Sequence, residues 1–155
     1  MKIEIPGKNE LAIEQVVFDY NGTLATDGSI RQAVKTALVQ LSKQLKVVVL
    51  TADTYGTVEK ELQGTGIIIH RFPEEQAGLS KQKYVMAAGP LTTATVGNGF
   101  NDILMSRAGA LSIAVLGNEG CHGRLLAEAD IVVSEILDVF ALFDKPNRIK
   151  ATIRT

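Results

Sequence analysis

The sequence predicts a three-layer α/β fold in which helices cover both faces of a doubly wound, mainly parallel sheet. Short runs rich in Val and Ile are largely continuous rather than alternating with polar residues, which is typical of strands buried on both faces of a parallel sheet. The segments between these runs show helical spacing and the connections are short, so strands and helices alternate as βαβ units. The six predicted strands are residues 13–18, 46–50, 66–70, 93–96, 111–115 and 131–133, and the six predicted helices are residues 30–45, 55–62, 80–88, 101–108, 121–129 and 135–143.

Each element follows from its own pattern. Residues 2–5 alternate polar and apolar side chains, so we expect a short strand that pairs antiparallel with the next strand at one edge of the domain. In residues 30–45 apolar positions such as Ala33, Ala37 and Leu41 recur at steps of three and four, which predicts an amphipathic helix. The other helical segments show this spacing less regularly. No repeat, low-complexity tract or linker interrupts the chain, which favours one domain over residues 1–155.

Composition excludes several classes of protein. With 155 residues, 46% hydrophobic and 21% charged, the chain has enough apolar material for a core, which argues against global disorder. The net charge of −1 argues against a general nucleic-acid binder. Cys121 is the single cysteine, so no intrachain disulfide can form. No signal-peptide pattern and no run of about 18 apolar residues is found, so we expect a cytoplasmic protein without a membrane span.

Polar residues cluster where the predicted strands end. Asp19 follows the strand at 13–18, Thr51 and Asp53 follow the strand at 46–50, and residues 97–102 follow the strand at 93–96. In open α/β sheets ligands bind beyond the carboxyl ends of the strands, where a carboxylate on a rigid strand tip can serve as a nucleophile or metal ligand. Taken singly, each cluster is explained by a turn or a helix N-cap. Their joint occurrence at one edge of the sheet indicates a functional site.

At these residues the sequence resembles the haloacid dehalogenase (HAD) superfamily. Residues 19–24 (DYNGTL), residues 50–53 (LTAD), Lys81 and residues 97–102 (GNGFND) occur in the order of the four HAD motifs. The second and fourth segments are also similar to the phosphorylation domain of P-type ATPases. The resemblance therefore points to the soluble P-type-ATPase-like branch of the superfamily, whose core is a Rossmann-like α/β domain.

The resemblance implies an enzyme in which an aspartate takes the phosphoryl group from a phosphomonoester with help from Mg²⁺. By position in the motifs, the implied catalytic residues are the nucleophile Asp19 together with Asn21, Thr51 and Lys81. The implied Mg²⁺ ligands are Asp19, the Asn21 carbonyl, Asn98 and Asp102. The implied phosphate contacts are Thr51, Ala52, Lys81 and Asn101.

Two lysines compete for the role of the lysine that neutralises the phosphate and the nucleophile. We prefer Lys81 because it stands four residues before Val85 at the start of a predicted helix, as the family's lysine stands before its buried aliphatic residue. Lys83 would then be a solvated helix residue, the usual place of a lysine.

Two substitutions depart from the family pattern. Asn21 stands where phosphatases of the family usually carry a second aspartate as general acid and base, and an amide cannot exchange a proton at neutral pH. Because general acid–base help contributes about 10²–10⁴ in rate, we expect slow chemistry. Asn98 replaces the aspartate of a Gly-Asp-Gly motif. Its amide oxygen can still reach a cation, but one charge is lost, so we expect weaker Mg²⁺ binding.

No segment is long enough to form the cap domain that selects substrates in the family. Residues 26–30 are only a short turn or flap, and residues 51–81 are filled by a βα unit. An open site would accept small-molecule or macromolecular phosphomonoesters. Alternatively, a neighbouring subunit of a homodimer or homotetramer would supply the lid.

The leading hypothesis is a Mg²⁺-dependent phosphohydrolase that acts through an aspartyl-phosphate on Asp19. The alternative is a catalytically impaired regulatory protein that responds to phosphate or metal. A third interpretation, ATP hydrolysis, is disfavoured because no nucleotide-binding insertion lies between Thr51 and the lysine. The Cys121–His122 pair and the basic residues near the C-terminus are interpreted as structural or solvated.

Overall fold

A six-stranded parallel sheet forms the centre of the computed structural model, which describes all 155 residues. The strands are β1 Lys2–Ile3, β2 Leu11–Ala12, β3 Gln15–Asp19, β4 Lys46–Thr51, β5 Ile68–Arg71, β6 Thr93–Gly97, β7 Leu111–Val115 and β8 Ile131–Val133. The strand order of the six-stranded sheet is β5-β4-β3-β6-β7-β8, and every neighbouring pair in it is parallel. The predicted α/β class is confirmed, and no cap domain is present.

Helices cover both faces of the sheet. They are α1 Gln32–Leu41, α2 Val58–Glu61, α3 Ala77–Ala88, α4 Ile103–Ala108, α5 Gly123–Glu128, α6 Ile136–Asp144 and α7 Asn147–Ile153, with 3₁₀ turns at Glu74–Gln76, Pro90–Thr92 and Phe100–Asp102. None of these helices is long and apolar enough to cross a membrane.

Successive residues of the central strands point to opposite cores. Phe18 packs into the larger core, where its ring lies 5.7 Å from that of Phe140 on α6. Val17, its neighbour on β3, packs into the smaller core with Val85 of α3 and Met105 of α4. This alternation explains why the strand sequences are mostly apolar at successive positions, since both faces of the sheet are covered.

The chain places a switch point beside β3. From β3 it passes outward through β4 to β5, then returns to the other side of β3 as β6 and continues to β7 and β8. Asp19 is the last residue of β3 and Gly97 the last residue of β6. The crevice where ligands bind in such sheets therefore lies at the predicted motifs.

Local structure differs from the sequence prediction in several places: α7 was not predicted, several helices are shorter than expected, and three further differences have a local cause. β1 does not pair with the strand that begins near residue 13. It pairs antiparallel with β2, in a separate two-stranded sheet. The helix predicted from residue 55 begins only at Val58, because Asp53 and Gly56 adopt positive φ angles of 51° and 66° and turn the chain first. α3 begins at Ala77, three residues before the predicted start, so Lys81 lies in its second turn.

Candidate active site

The centre of the site is a buried ammonium group shared by two carboxylates. Lys81 Nζ lies 2.5 Å from Asp19 Oδ1 and 2.7 Å from Asp102 Oδ1, and the lysine side chain has no exposed surface. The three residues come from β3, α3 and the 3₁₀ turn after β6. Because Asp19 Oδ1 and Asp102 Oδ1 contact the same ammonium nitrogen, the two carboxylates lie close enough to share one cation. Lys83, by contrast, is exposed.

The three charges perturb one another strongly. Burial and the negative charge of Asp102 raise the pKa of Asp19 to about 6, although Lys81 opposes the shift. Burial alone would lower the pKa of Lys81, but the charges of Asp102 and Asp19 outweigh it and hold that pKa above its ordinary value. With two carboxylates and one ammonium, the cluster has a surplus of negative charge that favours an added cation.

Backbone amides hold Asp102 in place. Its Oδ2 accepts hydrogen bonds from the N–H groups of Asn98 at 3.0 Å and Gly99 at 2.9 Å. The carboxylate also lies against Gly97, where an added Cβ would come within 2.5 Å of Asp102 Cγ. The glycine-rich motif thus serves to bring backbone against a buried carboxylate, which no residue with a side chain at position 97 would allow.

A tight turn follows the predicted nucleophile. The Tyr20 carbonyl accepts hydrogen bonds from the amides of Thr23, Leu24 and Ala25, and Gly22 takes a φ of 77°. This turn points the Thr23 hydroxyl at Asp19 Oδ2, 3.3 Å away. The turn therefore brings a hydroxyl donor to the carboxylate of the predicted nucleophile.

Asn21 presents two oxygen atoms without hydrogen-bond partners in the chain. Its side-chain Oδ1 is buried and unpaired, and no donor reaches its backbone carbonyl. Unpaired buried acceptors are costly and call for an explanation such as a bound water or ion. These oxygens, together with the two carboxylates, suit Mg²⁺, which binds through one or two carboxylates and keeps several waters. No cluster of three or more His, Cys, Asp or Glu side chains able to hold a metal occurs in the chain.

Thr51 and Asp53 end β4 in a compact turn. The buried Thr51 hydroxyl accepts the Asp53 N–H at 2.7 Å and retains its own proton for a ligand. Asp53 does not face the cluster. Its Oδ1 accepts the amides of Thr57 and Val58 at the start of α2, and its Oδ2 lies 3.2 Å from Arg71. Because α2 begins seven residues after Thr51, no helix N-terminus directly follows that hydroxyl.

The remaining predicted residues lie at the rim. Ala52 is half-buried, and Asn101 is exposed with no side-chain hydrogen bond. Phe100 beside it is 64% exposed and meets the His122 ring edge-on at 5.1 Å. His122 Nδ1 accepts the Arg124 amide, so this histidine caps α5.

Solved structures similar to this one include HAD proteins and sugar phosphatases. A 3-deoxy-D-manno-octulosonate 8-phosphate phosphatase from Moraxella catarrhalis, in complex with magnesium, phosphate and KDO, aligns with a TM-score of 0.71, 16% identity and 91% coverage of each chain. The cobalt-bound phosphatase YrbI from Haemophilus influenzae aligns with a TM-score of 0.71 and 16% identity over 92% of this chain and 90% of that one. A protein described as a HAD family hydrolase from Streptomyces avermitilis aligns with a TM-score of 0.64 and 20% identity over 79% of this chain and 76% of that one. The chain therefore has the HAD fold, as the motif resemblance predicted.

Sequence comparison adds two relatives from Methanocaldococcus jannaschii. The protein MJ0072 is 44% identical over 39 residues, which cover 25% of this chain and 89% of that protein. MJ0073 is 42% identical over 59 residues, which cover 38% of this chain and 63% of that protein, less than two thirds of its length. No protein-family model matches the sequence. The chain belongs to the same family as MJ0072, within the HAD fold.

Proposed function

We propose that this protein is a HAD-type phosphohydrolase that acts on a phosphomonoester through an aspartyl-phosphate on Asp19. The observation that carries the proposal is the Lys81 ammonium held between Asp19 and Asp102 at the switch point of the sheet. The likeness to phosphatases crystallised with magnesium, phosphate or cobalt supports it. Membership of the P-type-ATPase-like branch remains a prediction from residues 50–53 and 97–102.

Two displacements at phosphorus make up the reaction. An Asp19 carboxylate oxygen bonds to phosphorus while the ester P–O bond breaks, and the leaving oxygen takes a proton from solvent. Water then attacks phosphorus, the bond to Asp19 breaks, a proton returns to solvent, and inorganic phosphate leaves. Lys81 remains charged beside the nucleophile throughout and balances the negative charge of the phosphoryl group. The Thr51 hydroxyl and the Ala52 amide would hold its outer oxygens, with Asn101 at the rim.

A divalent cation fits beside these residues. Asp19, Asp102 and the Asn21 carbonyl would hold Mg²⁺, and the ion would neutralise charge on the phosphoryl oxygens. Asn21 itself can orient a water or a leaving oxygen by hydrogen bonding, but it cannot transfer a proton. Turnover should therefore be slow compared with an Asp-x-Asp phosphatase.

The short turn at residues 26–29, after β3, leaves the site open to a substrate. Thr26 and Ser29 exchange backbone hydrogen bonds, and the turn is fixed by the Thr57 hydroxyl on the Gly28 carbonyl at 2.6 Å. Such a fixed turn does not close over a substrate. We therefore propose that the site takes small or macromolecular phosphomonoesters, or that another subunit of a homodimer or homotetramer covers it.

Hydrolysis of para-nitrophenyl phosphate with added Mg²⁺ tests the proposal. Activity should disappear with Asp19→Asn, which keeps the size of the side chain and removes its nucleophilic charge. Lys83→Ala, on the exposed side of α3, serves as the control. Activity that survives in Asp19→Asn would refute the aspartyl-phosphate.

The presence of Asn21 also favours a second candidate function, a phosphate- or metal-responsive binding protein without useful turnover. This candidate predicts that the wild-type protein binds Mg²⁺ and inorganic phosphate by calorimetry but hydrolyses no ester. It is excluded if purified wild-type protein turns over repeatedly and Asp19→Asn does not.

A further inference from the structure

The side chain of Asn98 connects two loops of the site. Its Oδ1 accepts the Thr23 hydroxyl at 3.0 Å, and its Nδ2 donates to the Gly120 carbonyl at 3.0 Å. The Asn98 backbone carbonyl also accepts the His122 amide at 2.8 Å. The residue thus joins residues 20–25, the turn that follows Asp19, to residues 116–122, the loop that follows β7.

Only an amide meets both demands at this position. One end of the side chain faces a hydroxyl and the other faces a carbonyl oxygen, which accepts hydrogen bonds and donates none. A carboxylate has acceptors at both ends, so an aspartate would set an oxygen against the Gly120 carbonyl. The amide is also closely confined, since a Cβ on Gly22 would come within 2.4 Å of Asn98 Nδ2.

The connection reaches the nucleophile through one shared proton. The Thr23 hydroxyl lies 3.3 Å from Asp19 Oδ2 and 3.0 Å from Asn98 Oδ1, and both of these atoms are acceptors. A hydroxyl has a single proton, so it can donate fully to only one of them at a time. The position of Asn98 therefore sets how Thr23 presents its oxygen and proton to Asp19.

The connection also reaches the turn after β3. In the loop 116–122, Glu119 Oε1 accepts the Asp27 amide at 2.8 Å. Asp27 is one of two non-glycine residues in the chain with a positive φ, here 50°. Loss of the Asn98–Gly120 bond would loosen the loop that holds this strained turn.

We propose that Asn98 is a positioning residue whose carboxamide ties residues 20–25, the turn that follows Asp19, to residues 116–122, and that an aspartate in its place would break this tie. The proposal gives both ends of the carboxamide a partner within the chain, in place of the metal-ligand role that the motif resemblance implies. Its effect on catalysis rests on the proposed function, whereas the tie between the loops does not.

Hydrogen exchange tests the tie independently of activity. Asn98→Asp and Asn98→Ala should each speed exchange of the hydrogen-bonded amides of Leu116, Gly117 and His122 by about tenfold or more, the effect of losing one hydrogen bond. Amides of β3 and β4 should keep wild-type protection, which shows that the variants are folded. The matched control is Asn118→Asp, the same chemical change at an exposed asparagine of the same loop with no side-chain hydrogen bond.

Two further measurements separate positioning from ligation. Magnesium titration by calorimetry should give Asn98→Asp no tighter binding than Asn118→Asp, which adds the same charge nearby. With para-nitrophenyl phosphate, Asn98→Ala should lower kcat about tenfold while KM stays within about twofold. The proposal is overturned if both Asn98 variants keep wild-type protection at the amides of Leu116, Gly117 and His122, or if Asn98→Asp keeps it and binds Mg²⁺ more tightly than the control. A wild-type protein without any phosphatase activity would refute the proposed function, and the exchange result would still decide the tie.

Discussion

Replacement of Lys81 by methionine tests the charge cluster at the centre of the site. Methionine is close to lysine in length and fills the same space, so the change removes the charge and leaves the packing largely intact. The carboxylates left behind are only 8% exposed at Asp19 and 1% exposed at Asp102. Removal of one partner of a buried ion pair costs about 3–5 kcal/mol because the remaining charge is uncompensated. We expect a loss of this size in the free energy of unfolding.

Urea unfolding at neutral pH in a chelator gives the measurement. Lys83→Met makes the same chemical change on the exposed side of α3 and should stay within about 0.5 kcal/mol of wild type. Asp102→Asn in the Lys81→Met background should restore part of the stability, because it removes one of two like charges, with a coupling of about 0.5–3 kcal/mol. In the phosphatase assay Lys81→Ala should lose about 10²-fold or more in kcat, far more than Lys83→Ala. If Lys81→Met and Lys83→Met unfold at the same urea concentration, the buried cluster does not exist as described.

Three further predictions concern the residues around this cluster. Asn21→Asp should raise steady-state turnover of para-nitrophenyl phosphate at least about tenfold, within the ~10²–10⁴ range of general acid–base help, and unchanged turnover would mean that proton transfer does not limit the reaction. With this activated ester the first step needs little acid, whereas the attacking water needs a base, so wild-type stopped-flow traces should begin with a burst that shrinks in Asn21→Asp. In metal-free protein the pKa of Asp19 is raised from 3.8 to about 6, so the folded state binds the extra proton and the stability from this group is complete below pH 3.8 and lost as pH rises through about 6. The urea midpoint of the wild type should accordingly fall relative to that of Asp19→Asn as pH rises from about 4 to about 6, and parallel profiles would contradict the shift. Gly97→Ala should destabilise the fold by about 1–3 kcal/mol in the same unfolding assay, because its Cβ would meet Asp102, whereas Gly123→Ala has open space and should not.

The sheet could be predicted from sequence because its signal is local and physical. A strand covered on both faces is mostly apolar at successive positions, and β7 and β8 begin and end where that pattern begins and ends. Helix starts were harder to place, because they depend on turn chemistry. α2 begins only after Asp53 has adopted a positive φ and accepted hydrogen bonds from the amides of Thr57 and Val58. Because Asp53 lies outside the helix, its capping role does not appear in the helical spacing of apolar residues.

The same contrast holds within the candidate site. Asp19, Thr51 and Asp102 could be located because strand ends converge at one edge of a parallel sheet, so position along the chain predicts position in space. The direction of each side chain could not be predicted in that way. Asp53 also stands at a strand end, yet its side chain turns toward α2 and Arg71. The hydrogen bond from Asn98 to Gly120 joins residues 22 positions apart, in loops whose conformation cannot be predicted from the local sequence.

The two asparagines that replace family aspartates are therefore not equivalent departures. Both ends of the Asn98 side chain have hydrogen-bond partners. Asparagine lacks the charge of an aspartate, but its Nδ2 group donates a hydrogen bond to the loop after β7, which a carboxylate could not do. The Asn21 oxygen is buried without a partner, which costs about 1–3 kcal/mol unless a donor arrives. An attacking water is such a donor, and it would reach this oxygen beside Asp19. Replacement of each asparagine by aspartate should consequently have opposite effects. Asn21→Asp should increase turnover, whereas Asn98→Asp should loosen the loop 116–122.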